Sequence, residues 1–143
     1  MKQHISLIVA IIAVVMVGVV VLCACAPASS PDKAYAALDG NGYNPVKTSG
    51  YVSGIVSAIA GTENVIEGTV SGSKIVEDKD GNKKTEYVMI VYYKTAKAAK
   101  EAWADAQKDA DKDSNKKDDS DWVCARSGKM IYWGTKAGVK AAR

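Results

Sequence analysis

Eighteen successive residues, Ile5 to Leu22, carry no charge, and only Ser6 and Gly18 interrupt their apolar character. A segment apolar on every side has no stable place on the surface of a water-soluble fold. It must lie in a core or in lipid. An export-signal core uses about 7–15 apolar residues and a membrane-spanning helix about 17–25, so this run fits the border between them. Lys2 precedes it, and no Lys or Arg appears from Gln3 to Asp32. That bias keeps the N-terminus inside and sends the remainder of the chain across the membrane. Behind the run stand about 118 residues, enough for one domain with a core of its own.

The end of the apolar run narrows the choice. Leu22-Cys23-Ala24-Cys25 resembles the lipobox of bacterial lipoproteins, which carry a type II signal peptide. Leu22 and Ala24 match the leucine three before, and the small residue directly before, the modified cysteine. The resemblance implies cleavage before Cys25 and a diacylglycerol on its sulfur, carrying acyl chains such as palmitate. Cys23 in the middle position departs from the usual occupant. An uncleaved transmembrane anchor and simple secretion are the alternatives, and all three place the domain outside the cytoplasm. The expected organisation is a leader over 1–24, a lipidated cysteine and tether over 25–31, and one globular domain over 32–143.

Within the domain, Ser30-Pro31-Asp32 opens a helix, with a capping hydroxyl, a proline at the first position and an early acid. Residues 43–48 read as a short strand which Pro45 assigns to an edge. Residues 50–61 suit a short helix or turn. Residues 65–76 are β-rich, Asp80-Gly81-Asn82 marks a hairpin turn, and residues 85–93 form a strong strand. In that strand Val88, Ile90 and Tyr92 alternate with Tyr87, Met89, Val91 and Tyr93, so both faces are apolar and the strand is central. Thr95 caps a helix to about residue 110, with Ala99, Trp103, Ala106 and Ala110 on one stripe. A polar loop, a second hairpin around Ser127-Gly128 and a short helix capped by Thr135 complete the chain.

One echo links the two halves. Val91-Tyr92-Tyr93-Lys94-Thr95 with Lys100 matches Ile131-Tyr132-Trp133-Gly134-Thr135 with Lys140 at the same spacing. Duplication of a ββα unit and repeated use of one good strand-to-helix junction both account for it. The expected fold is α+β, with an antiparallel sheet of four to five strands and the helices packed on one face.

The chemistry the residues allow is narrow. The one histidine, His4, lies in the leader, so a processed chain has no imidazole for proton transfer or metal binding. No glycine-rich phosphate loop and no Gly-x-Ser-x-Gly elbow occurs. Asp109 to Asp113 imitates a calcium loop but has Ser114 where the tight turn needs glycine and Ser120 where a bidentate Glu belongs. Asp78, Asp80 and Asn82 are explained by the hairpin turn. No metal, cofactor or catalytic residue is assigned. Cys124, the one cysteine in the domain, fits a small buried apolar residue better than a reactive thiol.

Two surfaces remain. Arg126, Lys129, Lys136, Lys140 and Arg143 form a basic stretch without an acid, suited to anionic headgroups or cell-wall polymers, or simply to solvent. Trp122 and Trp133, expected opposite each other across the second hairpin, could with Tyr132 form a stacking platform. Trp122, Tyr132, Trp133, Arg126 and Lys129 are therefore the candidate binding surface. The net charge of +3 gives no case for nucleic acid. The expectation is a lipid-anchored extracytoplasmic domain, not an enzyme, that binds a protein or cell-wall partner non-covalently. A small hydrolase or transferase using Ser/Lys or Asp chemistry is one alternative, and a structural or inhibitory module the other.

Overall fold

The computed structural model describes residues 26–49, 66–110 and 121–143. The leader with Cys25, the segment expected as a helix or turn at 50–61, and most of the polar loop after 110 lie outside the described residues. Helix α1, Pro31–Gly40, begins as its sequence dictates: the Ser30 hydroxyl accepts the Lys33 N–H at 3.3 Å, and Pro31 needs no partner. Strands β1 (Asn44–Ser49), β2 (Ile66–Glu77) and β3 (Lys83–Tyr93) come next, then helix α2 (Ala96–Ala110). Strands β4 (Trp122–Ser127) and β5 (Met130–Thr135) form the second hairpin, and helix α3 (Lys136–Ala141) closes the order.

The five strands make one antiparallel sheet in the order β1-β2-β3-β5-β4. Pro45 lies on edge strand β1, where the missing N–H does not break a ladder on both sides. The β2–β3 turn is built on Asp78, whose carboxylate accepts the Asp80 N–H at 2.9 Å and the Asn82 N–H at 2.8 Å. This is the α+β class expected, with five strands and three helices among the described residues.

The helices do not share one face. Val91, Tyr93, Cys124, Ile131 and Trp133 pack with Ala99 and Ala102 of α2. Val70, Val88, Ile90, Tyr92 and Tyr132 pack on the other side with Ala34 and Leu38 of α1 and Val139 of α3. The expectation of helices on one face is thereby corrected, and β3 supplies the reason. Its alternation is apolar in both phases, and each phase needs its own cover. Fully burying a side chain such as Ile90 or Val91 contributes about 1.5–3 kcal/mol, far more than an exposed face would return.

The echo between the halves has a geometric counterpart. Val91 stands opposite Ile131, with Ile90 opposite Tyr132 and Tyr92 opposite Met130, so the matched residues are related by a local two-fold normal to the sheet. Tyr92 and Tyr132 share one core, and Tyr93 and Trp133 share the other. Both capping threonines act alike: Thr95 accepts the Ala98 N–H, and Thr135 the Gly138 N–H, each at 3.1 Å. The symmetry stops there. A two-fold normal to the sheet would keep both succeeding helices on one face, yet α2 and α3 lie on opposite faces. Gly134 replaces the echo's Lys94 at the point of divergence. Its φ of 150° and its approach to the Tyr87 backbone, where an added Cβ would lie 2.1 Å from the carbonyl oxygen, admit only glycine.

Candidate functional site

The aromatic platform expected on the second hairpin is not a surface. Register places Cys124, not Trp122, opposite Trp133, while Trp122 faces Thr135. Tyr132 is 1% exposed and Trp133 8% exposed. Trp122 stacks instead on Tyr87, with ring centres 6.4 Å apart and planes 15° from parallel. The Trp122 Nε1 and the Tyr93 hydroxyl are buried without a hydrogen-bond partner. These rings supply the apolar bulk that a chain without phenylalanine must find elsewhere, and they accept orphaned polar tips to do so. Arg126 and Lys129 are exposed, whereas Tyr132 and Trp133 are buried, so the five expected residues do not form one surface.

Cys124 is buried in the core beneath α2, and burial pushes its thiol up to about 12. A thiol held protonated is a poor nucleophile and metal ligand. Tyr43 donates to the Glu86 carboxylate at 2.6 Å, and burial followed by that hydrogen bond raises its phenol well above the ordinary value. Among the described residues, no three of His, Cys, Asp and Glu gather as metal ligands. The Asp78 carboxylate is held below the usual range, chiefly by the Asn82 backbone N–H, as a turn-building acid.

What does gather is the chain's entry into the domain. Residues 26–30, expected as part of a tether, pack onto the α1/α3 face, with Pro27 buried and Ala26 and Ala28 against the core. The Ala28 N–H donates to the Ala142 carbonyl at 2.8 Å, and the buried Tyr92 hydroxyl donates to the Ala28 carbonyl at 2.8 Å. The sequence hint was faint: Ala26-Pro27-Ala28 is small and apolar, which suits a linker as well as a packed strap. The packed domain therefore includes residues from Ala26 onward.

Only the C-terminal end of the basic stretch adjoins this entry. Arg143 is the direct neighbour of Ala142, and exposed Lys140 sits in the last turn of α3. The Lys129 carbonyl accepts the Tyr93 N–H at 2.8 Å, which fixes the β4–β5 turn, with Arg126 on its rising strand, beside the end of β3. Lys136, at the start of α3, is exposed but lies one helix length away. Such an arrangement offers positive charge beside a backbone-anchored entry. No helix among the described residues is long and apolar enough to cross a membrane. No protein-family model, curated protein or solved structure matches the chain.

Proposed function

We propose that this chain is a lipid-anchored lipoprotein whose α+β domain works on the outer side of a membrane by non-covalent binding. The observation that carries the proposal is the apolar run ending in Leu22-Cys23-Ala24-Cys25, directly before a chain that enters a folded domain at Ala26. Transfer of so long an apolar stretch from water to lipid is strongly favourable, at roughly 25 cal/mol per Å² buried. A diacyl group at Cys25 would then replace the leader as the hydrophobic hold. Binding rather than catalysis is favoured by the Cys124 thiol, which burial in the core holds protonated.

The test is a fractionation of cells expressing the chain and its Cys25→Ser variant. The wild type is expected in the membrane fraction, degraded by protease added outside intact spheroplasts. Cys25→Ser is expected to lose acyl incorporation and to keep its leader. Wild-type protein recovered in the soluble cytoplasm, protected from that protease, would defeat the proposal.

A further inference from the structure

The strap at residues 26–30 is docked directly beside the place where the leader would be removed. If the chain is cut before Cys25, a reading on which this inference rests, the bond broken is the Ala24–Cys25 amide. Cys25 is joined to Ala26, which packs on the α1/α3 core, and Pro27 after it is buried. Both backbone groups of Ala28 are taken. Its N–H donates to the Ala142 carbonyl and its carbonyl accepts the Tyr92 hydroxyl, each at 2.8 Å. The Ser30 carbonyl accepts the same hydroxyl at 3.4 Å, and α1 begins at the next residue. The chain has no slack here. Fully extended, the three residue steps from Ala28 back to Cys25 reach at most about 10 Å. A bound peptide substrate is held extended, its main-chain groups bonded to the protein that takes it. In the docked strap the residues that follow the cut have those groups bonded to the domain instead.

We infer that the strap is a latch, open while the Ala24–Cys25 amide is cut and shut afterwards. Cleavage adds one water across that amide, leaving a carboxylate on Ala24 and an amine on Cys25, with a membrane-bound peptidase as catalyst. Where opening is fast relative to cutting, the rate tracks the fraction of chains whose strap is open. Each of the two Ala28 bonds lowers that fraction about fivefold. A folded precursor is therefore cut at least about twenty-fivefold more slowly than one whose strap is free. The latch also shuts late. Tyr92 follows Ala28 by 64 residues and Ala142 comes later still, so neither partner is in place until both have crossed the membrane behind the leader. That interval is the window for cutting, and docking then draws the finished domain up against its anchor.

The experiment uses the full-length precursor, purified in detergent with its leader attached and incubated with detergent-solubilised bacterial membranes. Loss of residues 1–24 is followed by mass spectrometry. Tyr92→Phe, which removes one bond and keeps the ring, should be cut about fivefold faster than the wild type. A Gly-Ser-Gly-Ser spacer between Cys25 and Ala26 moves the amide up to about 14 Å further out and leaves the strap docked. It should be cut at least about twenty-fivefold faster, and Tyr92→Phe should add nothing to it. Asp78→Ala, which loosens the turn at the far end of β3, should leave the rate at the wild-type value. A wild-type precursor cut as fast as the spacer form would overturn the inference. So would acceleration by Asp78→Ala equal to that by Tyr92→Phe, which would make general loosening the cause. Acylated product formed at one rate from every precursor sinks the latch and leaves the lipoprotein reading standing. If no precursor is cut at all, that reading fails and the latch fails with it.

Discussion

Gly138→Ala sets two ordinary expectations against each other. Gly138 lies inside helix α3, where alanine is favoured over glycine by about 1 kcal/mol. Here the added Cβ would sit 2.4 Å from the Tyr87 carbonyl oxygen and 2.7 Å from its carbon, both backbone atoms of a central strand. Neither can swing aside, so α3 must rise from the sheet by about 1 Å to reach ordinary contact. The Thr135 hydroxyl lies in that path. It accepts the Gly138 N–H at 3.1 Å and the Tyr87 N–H at 3.2 Å, and it donates to the Tyr87 carbonyl at 3.3 Å. Overpacking costs about 1–3 kcal/mol and a disturbed cap about 1 more, against the gain of about 1. The net is a loss of about 1–3 kcal/mol, lowering Tm by about 5–15 °C in thermal unfolding followed by tryptophan fluorescence. Gly40→Ala is the control: it ends α1 with nothing within 4 Å of its Cβ, so it should be neutral or slightly stabilising. A Gly138→Ala protein as stable as Gly40→Ala would refute the close approach of α3 to β3.

Burial holds the Cys124 thiol and the Tyr87, Tyr92 and Tyr93 phenols above their ordinary values, so the folded chain keeps protons that the unfolded chain sheds. The stability this gives is full below the unfolded values. It is lost as pH rises through the interval up to the folded ones, by about 1.4 kcal/mol per pH unit per group. Urea midpoints should begin to fall near pH 9, the ordinary thiol value of 9.0, and in Cys124→Ala only near pH 10, the ordinary phenol value. Tyr92→Phe removes the bond to the Ala28 carbonyl, costs about 1 kcal/mol, and should speed proteolysis within residues 26–30 before any change elsewhere. The Asp78 carboxyl should titrate below the ordinary 3.8 by NMR, its contribution being present above that value and lost as pH falls through the lowered one. Asp78→Ala should quicken amide exchange at Asp80 and Asn82.

Local chemistry was legible wherever a short motif decides local structure. Ser30-Pro31, Asp80-Gly81-Asn82, Thr95 and Thr135 mark helix starts and a turn through bonds made within four residues. Strand β3 declared itself central by its double alternation, and that same alternation already implied cover on both faces. What eluded sequence reasoning is cover. Trp122 pairs with Thr135, two residues from the expected partner, and an even shift leaves both tryptophans on one face. They are covered because α2 packs over that face. The candidate site divides along the same line. Arg126 and Lys129 are exposed, as their charge requires, whereas Tyr132 and Trp133 are core. The strap at 26–30 was hidden because its bonds reach Tyr92 and Ala142, and no local pattern encodes partners so distant in the chain. The echo also misled in one respect: it marks equal junctions, while α2 and α3 pack on opposite faces.

How the chain is fastened decides whether the rest holds, and intact-mass measurement of the protein extracted from membranes addresses it directly. The expected species lacks the first 24 residues, begins at Cys25 and carries the added mass of a diacylglycerol with its acyl chains. An unmodified polypeptide retaining Met1 through Ala24 would contradict it.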